Sequence, residues 1–279
     1  MSVSVTLVTS RANPRVKQLR AAFAGNPRLS SGLVGIEGDI LVDEALRSGL
    51  TFKTIFLSLD RSVPSWVPRS VELIELTREI FLSAVDTRSP QGIAALLVPP
   101  TWDLGSVLAA VPNAAAPLLL IAAGLQDPGN LGTLIRSAEA FRATAVLTTA
   151  GTVSEWNQKA VRASAGSVFR VPVLAVTQAE ILALKSRGLR LFAAVADSGA
   201  PQSPSAHSVA ASDLTQPSAL MIGNEGSGLS ADLLQISDAR IAIPTPGPVE
   251  SLNAAVAGSL LLYEAARQRQ FASNLEPRT

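Results

Sequence analysis

Residues 117–136 read PLLLIAAGLQDPGNLGTLIR, and this stretch decides the fold class of the second half of the chain. An apolar run followed by a turn and an amphipathic segment predicts a strand buried on both faces and then a helix. The Pro-Gly pair sets the turn, and Asn130 is predicted to cap a helix that begins at Leu131. Arg136 then falls in the second turn of that helix.

Two further stretches of the chain also combine a buried strand with a loop rich in glycine or proline. Residues 218–229 read SALMIGNEGSGL, and residues 239–253 read ARIAIPTPGPVESLN before a long helical pattern. Apolar strands separated by helices predict a mostly parallel sheet covered on both faces. Ligands of such sheets bind beyond the carboxyl ends of the strands, which is where both loops fall. The sequence therefore predicts an α/β fold with a ligand site at that edge.

The polar residues of these loops are the candidate functional groups. Glu225 is the one carboxylate in the GNEGSG loop, whose glycines let the backbone approach a ligand closely. This loop is not a P-loop, because no Gly-Lys-Ser/Thr follows, and its GxxGxG order differs from the dinucleotide fingerprint. In the third stretch, Ser251 and Asn253 lie at the predicted N-terminus of a helix, where serine is a common cap. Taken singly, each motif also has an ordinary structural explanation.

The composition narrows the class of protein. The chain has 279 residues, of which 47% are hydrophobic and 16% charged, as is typical of a well-buried globular protein. No apolar run reaches the ~18–20 residues that a membrane-spanning helix needs, and the polar, basic start does not resemble a secretory signal. The lack of cysteine excludes disulfides and thiolate zinc sites, and the single His207 excludes a multi-histidine metal site. We therefore expect a cytoplasmic protein without a metal.

The first half predicts a smaller α/β domain. We expect a domain at residues 1–100, a Pro- and Ala-rich linker at 101–116 and a larger domain at 117–272. The net charge is only +1, but the first 20 residues carry basic and no acidic side chains. A helix starting near Asn13 would place neighbouring cations on one face, either as a solvated surface or as phosphate contacts. The candidate phosphate contacts are Arg11, Arg15, Lys17 and Arg20.

Together and in this order, the three stretches resemble the signature motifs of the SpoU (TrmH-type) RNA methyltransferases. The segment NQKAVRASAGSVFRVPV, residues 157–173, is similar to the part of that family between its first two motifs. The first half, with TSRANPRVKQLR and GIEGDILVDEAL, is similar to the substrate-binding domain that often precedes it, which resembles a ribosomal-protein fold. Members similar in layout include large-subunit ribosomal RNA methyltransferases and the thiostrepton-resistance enzymes.

The resemblance implies a fold, a cofactor and a reaction. It implies a Rossmann-like domain whose C-terminal part forms a trefoil knot, and a homodimer through that domain with each active site at the subunit interface. It implies transfer of a methyl group from S-adenosylmethionine to a ribose 2′-hydroxyl of RNA, with ribosomal RNA favoured by the N-terminal domain. The family holds this cofactor mainly through backbone groups. By carry-over, the cofactor pocket contains Gly223, Gly226, Gly228, Ile243 and Leu252.

The resemblance also assigns the catalytic positions. In the family's usual account the motif arginine is the general base, but a guanidinium is protonated at any ordinary pH, so this role is physically awkward. We instead expect Arg136 to bind the phosphate beside the target ribose and to orient the 2′-hydroxyl. Glu225 is expected to anchor its loop, and Ser251 to contact substrate or cap the helix. The catalytic set is Asn130, Arg136, Glu225, Ser251 and Asn253, and further RNA contacts are expected at Lys159 and Arg162.

Other functions remain open from the sequence. They are a transfer-RNA 2′-O-methyltransferase, a non-catalytic RNA-binding or assembly protein of the same fold, a base methyltransferase and a nicotinamide- or nucleotide-binding enzyme. The last lacks both fingerprints, and a non-catalytic protein should have a damaged motif, whereas all five catalytic positions are filled as the family requires. Thr245-Pro246 departs from the family's usual Met and small residue, and Glu250 directly precedes Ser251, so the pocket can differ in shape.

Overall fold

The chain packs as two compact units. A computed structural model describes residues 5–25, 30–68, 70–87, 89–112, 115–196 and 206–275. Unit 1 consists of Met1–Thr101 and Trp156–Arg170, and unit 2 consists of Trp102–Glu155 and Val171–Thr279. The segment Trp156–Arg170 lies inside the range expected for the larger domain but packs with unit 1. The domain boundaries themselves remain a prediction.

The elements follow one another as strands and helices along the chain. The strands in the described part are β1 (Val5–Val8), β2 (Val34–Glu37), β3 (Phe52–Ser58), β4 (Glu72–Leu76), β5 (Ile93–Leu97), β6 (Leu118–Ala122), β7 (Ala145–Thr148), β8 (Val173–Ala175), β9 (Arg190–Ala194), β10 (His207–Ser208), β11 (Ser218–Ile222) and β12 (Ala239–Ala242). The α-helices there are α1 (Pro14–Phe23), α2 (Asp39–Arg47), α3 (Arg78–Ala84), α4 (Leu104–Ala109), α5 (Pro128–Ala140), α6 (Gln158–Ser164), α7 (Gln178–Ala183), α8 (Ala231–Ile236) and α9 (Ala254–Leu275).

Unit 1 is built on a mixed sheet of strand order β1-β4-β3-β5-β2. Strand β4 pairs in parallel with β1 and β3, whereas β5 pairs antiparallel with β3 and β2. Helices α1 and α3 bury Leu19, Phe23 and Phe81 against the sheet residues Phe56 and Ile74. The α/β character predicted for this half is confirmed, although β1 and α3 were not predicted, because each is a short element of four or seven residues.

Helix α6 supplies a hydrogen-bond donor to the open edge of this sheet. Strand β2 is an edge strand, so its outward carbonyl groups need partners from elsewhere. Gln158 Nε2 donates a 2.8 Å hydrogen bond to the Gly35 carbonyl, and the Gln158 side chain is buried. Arg170 pairs with Glu44 and donates to Ser48 Oγ at 2.8 Å. These contacts explain why the segment belongs to unit 1.

Unit 2 is built on a sheet of order β10-β12-β9-β11-β6-β7-β8, and every pairing within its described strands is parallel. Its core contains fully buried residues such as Leu119, Ile121 and Met221. The parallel sheet predicted for the second half is therefore confirmed, and the trefoil knot stays a prediction. Residues 101–116, expected as a linker, include α4, which Asp103 caps by accepting from Ser106 N at 2.8 Å.

Helices α5 and α9 lie side by side and run in the same direction. A Cβ on Gly258 would lie 2.4 Å from Leu134 Cδ2, so glycine allows the close packing. The Ser137 and Ser259 hydroxyls are 2.7 Å apart. Near the other end of α9, Arg269 donates to the carbonyls of Leu214 and Gln216, both at 2.9 Å. Burial lowers the pKa of the Arg269 guanidinium, and the Asp213 carboxylate opposes that shift.

Two classes of feature are absent from the part of the chain that the structure describes. No helix among these residues is both long and apolar enough to span a membrane. No group of three or more His, Cys, Asp or Glu side chains among them is placed to hold a metal ion.

Candidate functional site

A cavity of about 430 Å³ opens at the carboxyl ends of β9, β11 and β12 in unit 2. This is the edge at which the sequence predicted a ligand site. Glu225 and Ser251 of the predicted catalytic set line it. Sequence reasoning missed the contribution of Ala194–Ala196, whose strand ends without a special motif. The residues predicted to hold the cofactor all line the cavity: Gly223, Gly226, Gly228, Ile243 and Leu252.

The GNEGSG loop closes on itself through its backbone. Asn224 N donates to the Gly228 carbonyl at 3.1 Å, and Gly228 N donates to the Asn224 carbonyl at 2.9 Å. Gly228 has φ +68°, a conformation that favours glycine. A Cβ on Gly223 would lie 2.1 Å from the Gly228 carbonyl carbon. The narrow loop therefore requires glycine at position 223.

Asn224 holds this loop, although it is not among the site residues predicted from the sequence. Its Nδ2 donates to the Gly124 carbonyl at 2.8 Å, which ties the loop to the end of β6. Its Oδ1 accepts from Gly226 N at 2.8 Å and from Ser227 N at 3.3 Å. An asparagine between glycines is a common signal for such a side-chain-closed turn, and this signal was available in the sequence.

Helix α5 begins earlier than predicted. Its first residue is Pro128, and its N-cap is Asp127, whose Oδ1 accepts from Asn130 N at 2.9 Å. The prediction that Asn130 caps a helix starting at Leu131 is therefore wrong. Proline is favoured at the first helical position and aspartate is a strong cap, so the earlier start satisfies more backbone donors. Arg136 accordingly lies in the third turn of α5.

Since Asn130 is not the cap, its side chain joins the three motifs. Asn130 Nδ2 donates to Glu225 Oε1 at 2.6 Å. Asn253 Nδ2 in turn donates to Asn130 Oδ1 at 3.1 Å. Three of the predicted catalytic side chains, from loops far apart in the sequence, thus form one hydrogen-bonded chain. Its carboxylate end, Glu225, lines the cavity.

Asn253 also caps α9. Its Oδ1 accepts from Ala255 N at 2.9 Å and from Val256 N at 3.2 Å. The alternative that Ser251 caps this helix is wrong, because α9 begins at Ala254 and the cap must directly precede it. Ser251 is instead exposed at the cavity, where it remains available to a ligand.

Arg136 stands apart from the other four predicted catalytic residues. It is exposed on α5 and does not line the cavity of its own chain. Six residues separate it from Asn130, which places it about 120° around the helix. It has no ion pair within the described part of the chain. A single copy therefore gathers four of the five residues, and the guanidinium faces solvent.

The basic residues in and just before α1 are partly engaged by neighbouring groups of the chain. The helix predicted to start near Asn13 begins at Pro14, and Asn13 is its N-cap. Arg11 pairs with Glu79, and Arg15 Nε lies 3.1 Å from Glu72 Oε2. Arg20 Nε donates to the Ser83 carbonyl at 3.1 Å. The remaining predicted phosphate contacts, Lys17 on α1 and Lys159 and Arg162 on α6, are exposed.

Comparison with protein families identifies the chain. A family model described as SpoU rRNA Methylase family matches residues 117–263. The chain belongs to this family. A second model, described as MRM3-like substrate binding domain, matches residues 13–95 in unit 1. The family inferred from the three motifs and the resemblance of the first half to a substrate-binding domain are both confirmed.

Individual relatives agree with this assignment. The chain is 34% identical over 257 residues to "23S rRNA (guanosine(2553)-2′-O)-methyltransferase RlmP" of Bacillus subtilis (strain 168), covering 92% of this chain and 97% of the relative. The AdoMet complex of the SpoU methyltransferase AviRb from Streptomyces viridochromogenes superposes with a TM-score of 0.78 at 28% identity, covering 92% and 98%. An AdoMet-bound rRNA methyltransferase from Sinorhizobium meliloti gives 0.79 at 28%, covering 94% and 98%.

The link between Asn130 and Glu225 can be tested by exchanging donor and acceptor. Asn130→Asp should lower kcat/KM for methyl transfer about 10- to 100-fold, because it replaces a hydrogen bond to a charged group with two facing carboxylates. Adding Glu225→Gln reverses the donor and acceptor, so the double variant should be more active than Asn130→Asp alone. A double-mutant cycle measures this coupling. A double variant no better than the worse single variant would refute the proposed contact.

Proposed function

We propose that this chain transfers the methyl group of S-adenosylmethionine to a ribose 2′-hydroxyl of large-subunit ribosomal RNA. The observation that carries the proposal is the hydrogen-bonded chain of Asn130, Glu225 and Asn253, which joins all three SpoU motifs beside the cavity. The 2′-O position and the ribosomal substrate are supported by the activity for which RlmP is named, and RlmP matches this chain over nearly its whole length. The proposal includes the cytoplasmic location expected from the sequence.

The cavity suits this methyl donor in size and character. Its volume of about 430 Å³ lies within the ~300–1,000 Å³ of ligand pockets. The closed GNEGSG loop offers backbone groups, and Leu234, Ile243 and Leu252 offer apolar surface for a nucleoside. When bound, the donor supplies a methyl group on a sulfonium that leaves as a neutral thioether.

The side chains of this chain position the reacting groups. Asn130 and Asn253 fix the direction of the Glu225 carboxylate, and Ser251 lies where it can contact substrate. Arg136 binds the phosphate beside the target ribose through its planar fork of donors. This contact would orient the 2′-hydroxyl towards the bound methyl donor, and the hydroxyl proton would pass to the substrate phosphate, to solvent or through Arg136 itself.

The same proposal includes a homodimer that completes each site. Helix α9 exposes Val256, Leu260 and Tyr263 at helical spacing, an apolar stripe on the helix that packs beside α5. Arg136 of α5 is also exposed and lies away from the cavity of its own chain. Pairing two copies through this stripe would bury it and bring the Arg136 of each copy towards the cavity of the other.

A charge within the stripe should separate the two copies. Leu260 is 42% exposed, so Leu260→Asp should leave the fold intact but place a carboxylate in the paired surface, giving monomers by sedimentation velocity. Methyl transfer should then fall at least tenfold, since no partner supplies Arg136. Leu182→Asp on α7, where the side chain is 47% exposed, is the control and should change neither property. Wild-type protein that is monomeric and fully active would contradict the dimer.

The reaction and its substrate are tested by mapping ribose methylation across ribosomal and transfer RNA in cells with and without the gene. We expect one 2′-O-methyl group to disappear from large-subunit ribosomal RNA and to return with the wild-type gene but not with an Arg136→Ala copy. Loss of a transfer-RNA methyl group would favour the transfer-RNA alternative. No lost methyl group on either RNA would refute the proposed activity.

A further inference from the structure

A second pocket, of about 280 Å³, lies within unit 1 and is lined mainly by polar side chains. It combines residues of α1, β3 and β4 with a short loop before β2. None of the SpoU motifs contributes to it. The polar lining consists of Arg15, Gln18, Ser31, Lys53, Thr54 and Glu72.

A β-bulge places Lys53 at this pocket. The register between β3 and β5 shifts between Phe52 and Thr54, so Lys53 is the extra residue in a strand that is central to the sheet. Bulges redirect a side chain at the cost of local pairing, and they occur often beside functional sites. The Lys53 side chain is exposed and has no ion pair within the described residues. The bulge therefore presents a positive charge to the pocket.

On the other side of the pocket, side chains form a hydrogen-bonded network that is present without a ligand. Thr54, which is 1% exposed, donates through Oγ1 to Glu72 Oε2 at 2.8 Å. Arg15 Nε lies 3.1 Å from the same oxygen, and Arg15 Nη1 donates to Gln18 Oε1 at 3.3 Å. A carboxylate has about four acceptor sites and a guanidinium five donors, so both groups can form further hydrogen bonds with a ligand. The network fixes their direction before any ligand binds.

We propose that this pocket binds one unpaired nucleotide of the RNA substrate, with its phosphate on Lys53 and Arg15 and an N–H of its base on Glu72. The inference rests on the proposed RNA substrate. A carboxylate beside two cations disfavours a simple anion but suits a nucleotide, which is anionic at one end and carries N–H donors at the other. The base must be unpaired, because proteins reach RNA base edges mainly in loops and single strands. The pocket also lies within residues 13–95, which match a substrate-binding domain.

The test removes one charge from the pocket and one from elsewhere on the same unit. Lys53→Gln should weaken binding of the ribosomal RNA fragment about fivefold to tenfold and reduce the salt dependence of log K by about 0.7–0.9. Lys53→Arg keeps the charge and should keep that slope. The matched control is Arg47→Gln on α2, where Arg47 is paired with Asp43 outside the pocket; it should change the affinity less than twofold.

Kinetics separate this proposal from the proposed function. Lys53→Gln should raise KM for RNA with kcat and S-adenosylmethionine affinity unchanged, because the pocket lies outside the methyl-transfer site. If wild-type protein binds RNA more tightly than Lys53→Gln protein does, but does not methylate it, the proposed activity is refuted and the proposed pocket is not. Active Lys53→Gln protein with wild-type KM, affinity and salt slope would overturn the pocket.

Discussion

Arg136→Ala should lower the rate of methyl transfer at saturating RNA and S-adenosylmethionine by at least about 100-fold. The guanidinium is exposed and makes no ion pair among the described residues, so its removal leaves no buried group unsatisfied and should not change stability. Its loss should instead remove the bidentate phosphate contact that we propose orients the ribose. The measurement is a single-turnover rate with a tritiated methyl donor, together with the dissociation constant of that donor, which should not change.

Two further variants sharpen this result. Arg136→Lys keeps the charge but loses the fork, so its rate should fall between those of wild type and Arg136→Ala. Arg142→Ala, which removes another exposed arginine two residues beyond the end of the same helix, is the control and should stay within about threefold of wild type. If Arg136→Ala retained a rate within about tenfold of wild type, ~1.4 kcal/mol, neither phosphate binding nor proton transfer by Arg136 would hold.

The sequence was sufficient to predict the sheet of unit 2 and the location of its cavity. Apolar strands such as β6 and β11 need both of their faces covered, which predicts a place inside a parallel sheet. The loops that follow parallel strands then lie at the same edge of that sheet. Gly223, Ile243 and Leu252, which the resemblance assigned to the cofactor pocket, line the cavity at this edge. The resemblance added the family, which no periodicity could supply.

The errors arose where two residues compete for one local role. Asp127 and Asn130 are both good caps, as are Ser251 and Asn253, and the choice depends on where each helix packs. The outcome matters for function. Because Asp127 and not Asn130 caps α5, the Asn130 amide is free to bind Glu225. Non-local contacts were equally inaccessible: nothing in the sequence near Gln158 indicates that its amide satisfies the edge strand β2, which lies more than 100 residues earlier in the chain.

Gly223→Ala should strongly weaken cofactor binding, raising the dissociation constant of S-adenosylmethionine on the order of 100-fold, because a displacement of about 1 Å in a binding loop has effects of that size. The added Cβ would lie 2.1 Å from the Gly228 carbonyl carbon and 2.3 Å from Leu229 N. Both atoms belong to the backbone, so rotation of a side chain cannot relieve the clash. The backbone of the loop must therefore move. Overpacking of this kind should also cost about 1–3 kcal/mol in the free energy of unfolding. Calorimetric titration and thermal unfolding measure the two effects.

Gly226→Ala supplies the matched control within the same loop. A Cβ there would have Asn224 Oδ1 at 3.5 Å as its nearest neighbour, an ordinary contact, so the loop can accept it without moving. Its dissociation constant should stay within about threefold of wild type. Equal losses at positions 223 and 226 would mean that any added bulk blocks the cofactor directly. A loss only at 223 would mean that the closed shape of the loop, held by Asn224 and Gly228, creates the binding site, and this second outcome is the one that the geometry requires.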